Sequence, residues 1–419
     1  MAASPSLDRA SLVLAALSTI VEWYDFTLFF YLATVIARLF FVGQDPVLAA
    51  LGGFALAYLM RPLGAMAFGH FGDRHGRRAT LLASMALMTG AMLATAMLPT
   101  AAQIGPTAGA LLIVLRCVMG FAVGGEYTGV VAYLLEGAPI HRRGFVTSLA
   151  AATSEVGGLM AAAISALTVS LLPTPALDHW GWRLPFLFGA LLAGTILIVR
   201  SFMAESPAFE AAREAGTISR RPIGDALRRH RAGILRGFLI SALGSITYYI
   251  GITYLPVHLV AQGGLSEARA LQLATLAAIA VIVTTPLAGI AADRFGRRPT
   301  LIVLAILSAV LPYPAFRLLA DANAMAILGS ALALAALAGG VSAVGAVATA
   351  EQFPARERLS GLALGATSAT ALFGGLTPWL AEWTIRQSGW SAAPGIMIAI
   401  VALASLPVLL ALPETRPDG

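Results

Sequence analysis

A charged heptad occurs twice in a chain that is otherwise strongly apolar. GDRHGRR at Gly72–Arg78 returns as ADRFGRR at Ala292–Arg298, so five of the seven positions agree. Every match is offset by 220 residues, slightly more than half of the 419-residue chain. A polar motif that is repeated at half-length predicts a chain built from two similar halves.

The composition places these halves in a membrane. Hydrophobic residues make up 58% of the sequence and charged residues only 11%, whereas a soluble protein carries about 25% charged residues. Several apolar runs have, with their flanks, about the 20 residues that span a bilayer; they include Leu48–Leu59, Leu81–Leu98, Leu239–Ile252 and Ile396–Leu412. We therefore predict a polytopic membrane protein and exclude a soluble core. Internal duplication in such a chain is typical of secondary transporters.

Apolar segments between charged or Pro/Gly-bearing connections predict twelve transmembrane helices. Their approximate spans are 11–41, 48–70, 78–99, 107–135, 143–172, 182–203, 233–260, 267–291, 300–320, 324–351, 360–386 and 390–412. The longest polar stretch follows the sixth span. The sequence thus predicts an all-α fold with a six-helix bundle over residues 1–203, a linker over 204–232 and a second six-helix bundle over 233–419.

The arginines sort by side of the membrane, and the chain contains no lysine. One side holds many of them: Arg9, Arg74, Arg77, Arg78, Arg142, Arg143, Arg213, Arg220, Arg221, Arg228, Arg229, Arg231, Arg294, Arg297, Arg298, Arg356, Arg358 and Arg416. The other side holds few: Arg183, Arg269 and Arg386, with Arg38 and Arg317 near helix ends. By the positive-inside rule, both termini and the linker are cytoplasmic. The short polar N-terminus lacks a cleavable signal, so we expect the first transmembrane helix itself to serve for insertion. The expected location is a bacterial-type inner membrane, with several membrane passes.

The repeated heptads fall in the predicted cytoplasmic loops after the second and eighth spans. Each heptad supplies an aspartate, a glycine that permits a tight turn, and an arginine cluster. We predict that these groups pair with neighbouring helices and act as a conformational latch. The alternative is that they only anchor the topology, although aspartate contributes little to orientation. The predicted latch residues are Asp73, Arg74, Arg77, Arg78, Asp293, Arg294, Arg297 and Arg298.

Motifs along the whole chain resemble one transporter family. They are EWYDF at Glu22–Phe26, LMRPLGA at Leu59–Ala65, GHFGDRHGRR at Gly69–Arg78, RCVMGFAVGGEYTG at Arg116–Gly129, EGAPIHRRG at Glu136–Gly144, WGWRLPF at Trp180–Phe186, ESPAF at Glu205–Phe209, TYYIGITYLP at Thr247–Pro256, ADRFGRRP at Ala292–Pro299 and FGGLTP at Phe373–Pro378. Together they resemble the major facilitator superfamily, and within it the metabolite:proton symporters, which include proline/betaine, citrate, α-ketoglutarate and shikimate carriers. The fifth helix lacks the Gly-Pro-rich motif of drug antiporters, which favours uptake over efflux.

Ionisable residues inside the predicted spans are candidates for proton coupling, since such groups are costly in hydrocarbon. Glu22 and Asp25 are three residues apart and share a helix face near the midplane. Arg116 and Glu126 lie on the fourth helix. A proton-coupled carrier needs a carboxylate that is charged in one state and neutral in another. The resemblance implies proton coupling or substrate contact for the acids of the first and fourth helices. The alternative is a static ion pair that holds helices together.

Aromatic residues and one further acid are candidates for substrate contact. Cations are attracted to aromatic faces, so a cavity lined by Tyr24, Tyr127, Tyr248 and Tyr249 suits a quaternary ammonium group. Glu155 on the fifth helix is added to this substrate-binding set. Lipid-facing aromatics are the alternative explanation. For Arg61, before Pro62, snorkelling or pairing and substrate contact both remain open.

These features predict a proton-coupled symporter that imports a small carboxylate-bearing metabolite by alternating access. The solute is either an organic acid or a zwitterion of the betaine or proline type. A proton-driven efflux antiporter and a non-transporting solute sensor share the same features and stay as alternatives. An enzyme is not expected, because no nucleophile–base set, metal-ligand cluster or phosphate loop appears. We predict no cofactor, metal or nucleic-acid partner, contact with the lipid bilayer, and a monomer.

Overall fold

A computed structural model describes residues 9–41, 46–218, 222–321 and 323–415. Every regular element in these ranges is helical, and the ranges contain no β-strand. The predicted N-terminal half begins, and the C-terminal half ends, with residues outside the described ranges. Arg220, Arg221 and Arg416, which contribute to the predicted topology, also lie outside them.

The first six long helices occupy the N-terminal half. Helix α1 runs in three segments, Arg9–Leu17, Thr19–Tyr31 and Ala33–Phe40. The next five are α2 (Pro46–His75), α3 (Arg77–Met97), α4 (Thr107–Gly137), α5 (Arg143–Leu171) and α6 (Arg183–Arg200). The predicted linker contains two short helices, Pro207–Glu214 and Pro222–Arg229.

Six further long helices follow, and two of them are interrupted by π-helical turns. They are α7 (Arg231–Tyr248, a π turn at Tyr249–Thr253, then Leu255–Ala261), α8 (Glu267–Phe295), α9 (Arg297–Val310, then Pro312–Asp321), α10 (Ala324–Ala350), α11 (Arg358–Leu362, a π turn at Ala363–Thr367, Ser368–Phe373, then Thr377–Ser388) and α12 (Ala393–Leu410). Each helix corresponds to one predicted span.

The helices are suited to a bilayer. Within the described residues, eleven are long and apolar enough to cross a membrane. Large aliphatic side chains on their outer faces are exposed, such as Leu59, Leu63, Val283 and Leu287. In water such faces would be unfavourable, whereas lipid chains solvate them as well as a protein core does. The predicted all-helical, membrane-spanning fold is confirmed.

Each heptad forms a turn of one residue between two helices. Helix α2 ends at His75 and α3 begins at Arg77, while α8 ends at Phe295 and α9 begins at Arg297. The connecting residues Gly76 and Gly296 have φ angles of 108° and 102°, which L-side chains rarely adopt. The predicted loops are therefore too long, because the flanking helices include every heptad residue except the glycine.

Close packing of α4 on α2 brings Arg61 to the centre of the molecule. A Cβ atom at Gly120 would lie 2.0 Å from the carbonyl oxygen of Ala57, and one at Gly124 would lie 2.1 Å from that of Arg61. Only glycine permits this approach. The small residues of the RCVMGFAVGG segment therefore serve helix packing.

Candidate functional site

A cavity of about 160 Å³ lies between the two sets of six helices. Its lining combines residues of α1, α2, α4 and α5 with residues of α7, α10 and α11. The charged residues of this lining are Glu22, Arg61 and Glu155, all from the first set. The second set contributes serines, threonines, tyrosines and apolar groups. The charge of the described cavity wall therefore comes from one half of the molecule.

Arg61 and Glu22 form an ion pair at the cavity. The guanidinium Nη1 lies 3.3 Å from Glu22 Oε1, and the Glu22 residue is only 2% exposed. The Arg61 side chain also lies over the rings of Tyr58, at 4.5 Å from the centroid, and Phe26, at 5.3 Å. The second carboxylate oxygen of Glu22 is buried and has no hydrogen-bond partner among the described groups. One carboxylate oxygen of Glu22 thus pairs with Arg61, and the other has no hydrogen-bond partner among the described groups.

Glu155 approaches the same cavity from α5 in an aromatic setting. The residue is 6% exposed, and its carboxylate accepts a hydrogen bond from the Tyr248 hydroxyl of α7. The Trp23 ring contacts the Tyr248 ring edge-on, with centroids 5.3 Å apart. Tyr127 lines the cavity as well. Glu155 is therefore a buried carboxylate with a neutral hydrogen-bond donor as its partner.

The neighbouring residue Tyr249 reaches a different partner in the first half. Its hydroxyl shares a hydrogen bond with that of Tyr58, and the ring centroids of Tyr248 and Tyr249 are 5.7 Å apart. Tyr249 opens the π turn of α7, a helix irregularity that often marks a functional site. A Cβ atom at Gly375 would lie 2.9 Å from Tyr58 Cδ1, so the glycine in the α11 break makes room for this contact.

A smaller cavity of about 40 Å³ adjoins the first and shares Glu22 and Arg61 with it. Its lining includes Asp25 and Arg116, whose carboxylate and guanidinium are 2.8 Å apart. Arg116 also donates to Thr95 Oγ1 at 3.2 Å. Of the predicted coupling residues, Glu22, Asp25 and Arg116 thus lie together.

Glu126 lies apart from both cavity linings. It is fully buried and pairs with Arg200 at the end of α6, while Ser84 donates to it at 2.7 Å. Arg200 is 1% exposed and also donates to the Leu81 carbonyl at 2.9 Å. The structure thus places Glu126 in a buried ion pair outside both cavity linings, and its role in proton coupling stays a prediction. Arg200 was missed because it resembles an arginine that merely flanks a span.

Tyr24 also lies away from the cavity, which corrects its prediction as a substrate contact. It is fully buried, and its hydroxyl donates to the Pro185 carbonyl of α6 at 2.8 Å. Successive helical residues point about 100° apart, so Trp23 and Tyr24 cannot face the same side. Trp23 lines the cavity in its place.

Both heptad aspartates cross between the halves and cap a helix of the other half. The Asp73 carboxylate accepts hydrogen bonds from the backbone N–H groups of Leu359, at 3.3 Å, and Ser360, at 2.9 Å, in the first turn of α11. The Asp293 carboxylate accepts from Gly144 and Phe145 in the first turn of α5, both at 2.8 Å. A carboxylate at a helix N-terminus is favourable because it meets free N–H groups and the positive end of the helix dipole. We call the end of the molecule that carries these caps the heptad end.

Two heptad arginines connect the caps to glutamates, of which Glu136 is buried and Glu351 half-buried. Arg77 binds Asp73 at 3.1 Å and Glu136 at 3.0 Å, and Arg358 of the other half reaches the same Glu136 at 2.5 Å. Arg297 correspondingly binds Asp293 at 3.2 Å and Glu351 at 3.2 Å. The two networks are related by the same internal duplication as the heptads.

The other four heptad arginines do not bridge the halves with their side chains. Arg74 and Arg294 are exposed at the surface. The backbone N–H of Arg78 donates to Glu205, and that of Arg298 donates to Glu414 at 3.1 Å. The Arg78 side chain donates to the Ser201 carbonyl just after α6, so its contacts stay within the first half. The role of these four arginines in a latch stays a prediction.

The partner glutamates were not assigned from the sequence, although a signal was present. Glu136, Pro139 and Arg143 follow the pattern E-x-x-P-x-x-x-R, and Glu351, Pro354 and Arg358 repeat it. This second duplicated motif identifies the groups that meet the heptad arginines. In the described part of the chain, no three His, Cys, Asp or Glu side chains are placed to hold a metal ion.

Comparisons with known proteins place the chain in a family. The model of the sugar (and other) transporter family matches residues 11–223, and the major facilitator superfamily model matches residues 264–419. The chain is 31% identical to the ectoine/proline transporter ProP of Corynebacterium glutamicum, over 98% of this chain and 85% of that one. It is 32% identical to the citrate-proton symporter of Klebsiella pneumoniae, over 92% and 87%. It is 30% identical to the α-ketoglutarate permease of Escherichia coli, over 96% and 93%.

Solved structures share the fold. The proton:xylose symporter XylE bound to 6-bromo-6-deoxy-D-glucose superposes with a TM-score of 0.82 at 18% identity, covering 97% of this chain and 96% of that one. The inward open conformation of XylE from E. coli gives 0.67 at 20% identity, covering 97% of each chain. These relatives are transporters rather than enzymes. With the helices that can cross a membrane, they indicate that the chain is a multi-pass inner-membrane protein. The chain is a membrane transporter of the major facilitator superfamily and belongs to its metabolite:proton symporter family.

Proposed function

We propose that this transporter imports a small carboxylate-bearing solute, an organic acid or a zwitterion, together with protons by alternating access. The observation that carries the proposal is the Glu22–Arg61 pair at the wall of a cavity between the two halves. An arginine is the residue best suited to bind a carboxylate, because its donors match the two oxygens. Here that arginine is already occupied by an acid of the protein.

Competition for Arg61 couples the solute to a proton. When the solute carboxylate binds the guanidinium, it displaces Glu22, whose charge then lies buried without its cation. An unpaired buried charge is strongly unfavourable, so Glu22 takes up a proton from water and becomes neutral. Its oxygen without a hydrogen-bond partner offers the position for that proton. One proton thus enters with one solute and leaves when Arg61 recovers Glu22.

The groups around Glu22 are compatible with this exchange. The two cavities and the electrostatic surroundings of Glu22 supply the following titratable residues: Asp25, Tyr58, Arg61, Arg116, Glu126, Tyr127, Glu155, Tyr248 and Tyr249. Arg116 and Arg200 are bound to Asp25 and Glu126 at short distance. Arg61 is therefore the arginine that a solute in the larger cavity can reach. We assign Asp25 and Arg116 to a second coupling pair behind Glu22, and Glu126 to a structural pair.

The heptad end faces the cytoplasm in this proposal, and both termini lie on that side. Glu414, just after α12, binds Arg297 at the heptad end, which brings the described end of the chain there. The arginine-rich connections are on the same side. In this proposal the caps of Asp73 and Asp293 hold the cytoplasmic side closed.

Reconstituted protein tests the coupling. We expect liposomes with pH 7.5 inside and pH 5.5 outside to accumulate a labelled substrate, chosen from organic acids, proline and betaines, and a protonophore to abolish the accumulation. Calorimetric titration in two buffers of different ionisation enthalpy is expected to show one proton taken up per solute bound. Glu22→Gln, which cannot exchange a proton, should bind solute with no proton uptake, whereas the exposed Glu214→Gln should resemble the parent protein.

Three results contradict the proposal. Export of preloaded solute driven by an inward proton gradient indicates an antiporter, and binding without flux indicates a sensor. Proton uptake that persists in Glu22→Gln removes Glu22 from the coupling step.

A further inference from the structure

We propose that Arg61 and Glu155 are the two poles of one substrate site, and that together they select a zwitterion. Arg61 binds the carboxylate of the solute, and Glu155 binds its cationic group. The inference rests on the proposed function, because it concerns the same cavity and narrows its substrate class.

The two side chains lie at the same depth in the molecule. Arg61 precedes the Asp73 cap by 12 residues on α2, and Glu155 follows the capped Gly144 by 11 residues on α5. At 1.5 Å per residue these separations are about 18 Å and about 17 Å from the heptad end. Both residues line the larger cavity, so one small molecule can reach them together.

Two adjacent tyrosines of α7 contact the surroundings of the two poles. The Tyr248 hydroxyl donates to Glu155, whereas the Tyr249 hydroxyl meets that of Tyr58, whose ring lies under Arg61. The ring centroids of Tyr248 and Tyr249 are 5.7 Å apart. Two adjacent residues of α7 thus connect to the two poles, and both poles line the same cavity.

The charge balance favours a zwitterion over a solute with a second carboxylate. Glu22 neutralises Arg61 in the empty site, while no arginine or histidine of the described chain pairs with Glu155. Trp23 and Tyr127 add aromatic surface to the lining that holds Glu155, and such faces attract a quaternary or substituted ammonium group. A dicarboxylate would find no cation for its second carboxylate at this pole, because the partner of Glu155 is the neutral Tyr248 hydroxyl. A cationic group of the solute would instead give the buried Glu155 carboxylate the counter-charge that it lacks in the empty site.

Three matched probes measure the two poles separately. Glycine betaine carries both charges, 3,3-dimethylbutanoate replaces its nitrogen by carbon and lacks only the positive charge, and choline lacks the carboxylate. We expect the purified transporter to bind glycine betaine at least tenfold more tightly than either of the others, as measured by calorimetric titration. Removing one charge-assisted hydrogen bond or ion pair from a buried site weakens binding roughly 10- to 100-fold.

Variants then assign each pole. Glu155→Gln should remove the preference for glycine betaine over 3,3-dimethylbutanoate, and Glu155→Asp, which keeps the charge, should retain part of it. Arg61→Gln should remove the preference over choline, with Arg61→Lys as the charge-keeping control. Each variant is expected to remove one preference and to keep the other. A general loss of folding would remove both and cannot produce this pattern.

The inference is overturned if Glu155→Gln leaves the discrimination unchanged, or if the parent protein binds succinate or 3,3-dimethylbutanoate as tightly as glycine betaine. If the protein accumulates an organic acid in response to a proton gradient and binds no zwitterion, the proposed function holds and the two-pole site is refuted. Failure of every carboxylate solute to accumulate would instead refute the proposed function.

Discussion

Replacing Asp73 by asparagine tests whether the heptad end is a latch. The carboxylate accepts two backbone hydrogen bonds, from Leu359 and Ser360, across the interface between the halves. Asparagine keeps one acceptor oxygen and loses the charge, so it preserves at most one of these bonds and weakens the interaction with the helix dipole. The same change at Asp293 affects the bonds from Gly144 and Phe145.

The expected magnitude follows from the hydrogen bond that asparagine cannot accept. A hydrogen bond to a charged group contributes about 1.5–3 kcal/mol. These particular bonds connect the two halves, and they break when the heptad end opens. Their removal therefore lowers the stability of the closed state relative to the open one by about that amount. At about 1.4 kcal/mol per factor of ten, the ratio of open to closed molecules rises roughly 10- to 100-fold for each variant.

Distances between spin labels measure this ratio. Cysteines at the exposed residues His141 and Arg356, one on each half at the heptad end, carry the labels in a Cys117→Ser background. We expect the long-distance population to grow in Asp73→Asn and Asp293→Asn and to grow further in the double variant. Glu214→Gln, an exposed acid in the linker, is the matched control and should show the parent distribution.

An unchanged distribution in all three variants would refute the latch. The heptads would then serve as topology anchors. The closed state of the heptad end would in that case depend on contacts other than its caps.

Two further changes address packing and buried charge. Gly289→Ala would place a Cβ atom 2.6 Å from a carbonyl oxygen of α5, so we expect it to push α8 from α5 and to increase the open population; Gly329→Ala, whose added atom meets nothing within 4 Å, is the control. Arg200→Leu leaves the Glu126 charge without its cation, so we expect thermal unfolding to show a loss of about 3–5 kcal/mol in stability. Replacing both Glu126 and Arg200 by leucine should restore most of that stability. Coupled uptake by that double variant would show that the pair is structural, and its absence would return Glu126 to the coupling site.

The helices were predictable from sequence because each depends on a local property. A run of about 20 apolar residues has few alternatives to a membrane-spanning helix, and intramembrane acids such as Glu22 and Glu155 stand out because they are rare there. Partners were not predictable, because they come from distant parts of the chain. Asp73 meets Ser360 across 287 residues, and Arg200 meets Glu126 only through the packing of α6 on the bundle.

The sequence also did not determine which face of a helix points into the cavity. Trp23 and Tyr24 are neighbours in sequence and both suit a substrate cage by residue type. The tilt and rotation of α1 decide between them, and these are set by contacts such as the bond from Tyr24 to the Pro185 carbonyl. Arg61 was ambiguous for the same reason. Its approach to the cavity depends on glycines of α4, which are not its sequence neighbours.

The duplication is retained at the heptad end and absent from the cavity, and this contrast has a mechanical explanation. Closing one side of the molecule needs contacts on both sides of the pseudo-symmetry axis, since a single cap would allow the other helix pair to separate. Asp73 and Asp293 accordingly keep equivalent partners. Binding one asymmetric solute has no such requirement. The first half can therefore hold Glu22, Arg61 and Glu155, while the second half contributes neutral hydroxyls such as those of Tyr248 and Tyr249. In the proposed mechanism, the charged groups that bind solute and proton therefore lie in one half, and movement of the other half against it opens and closes the site.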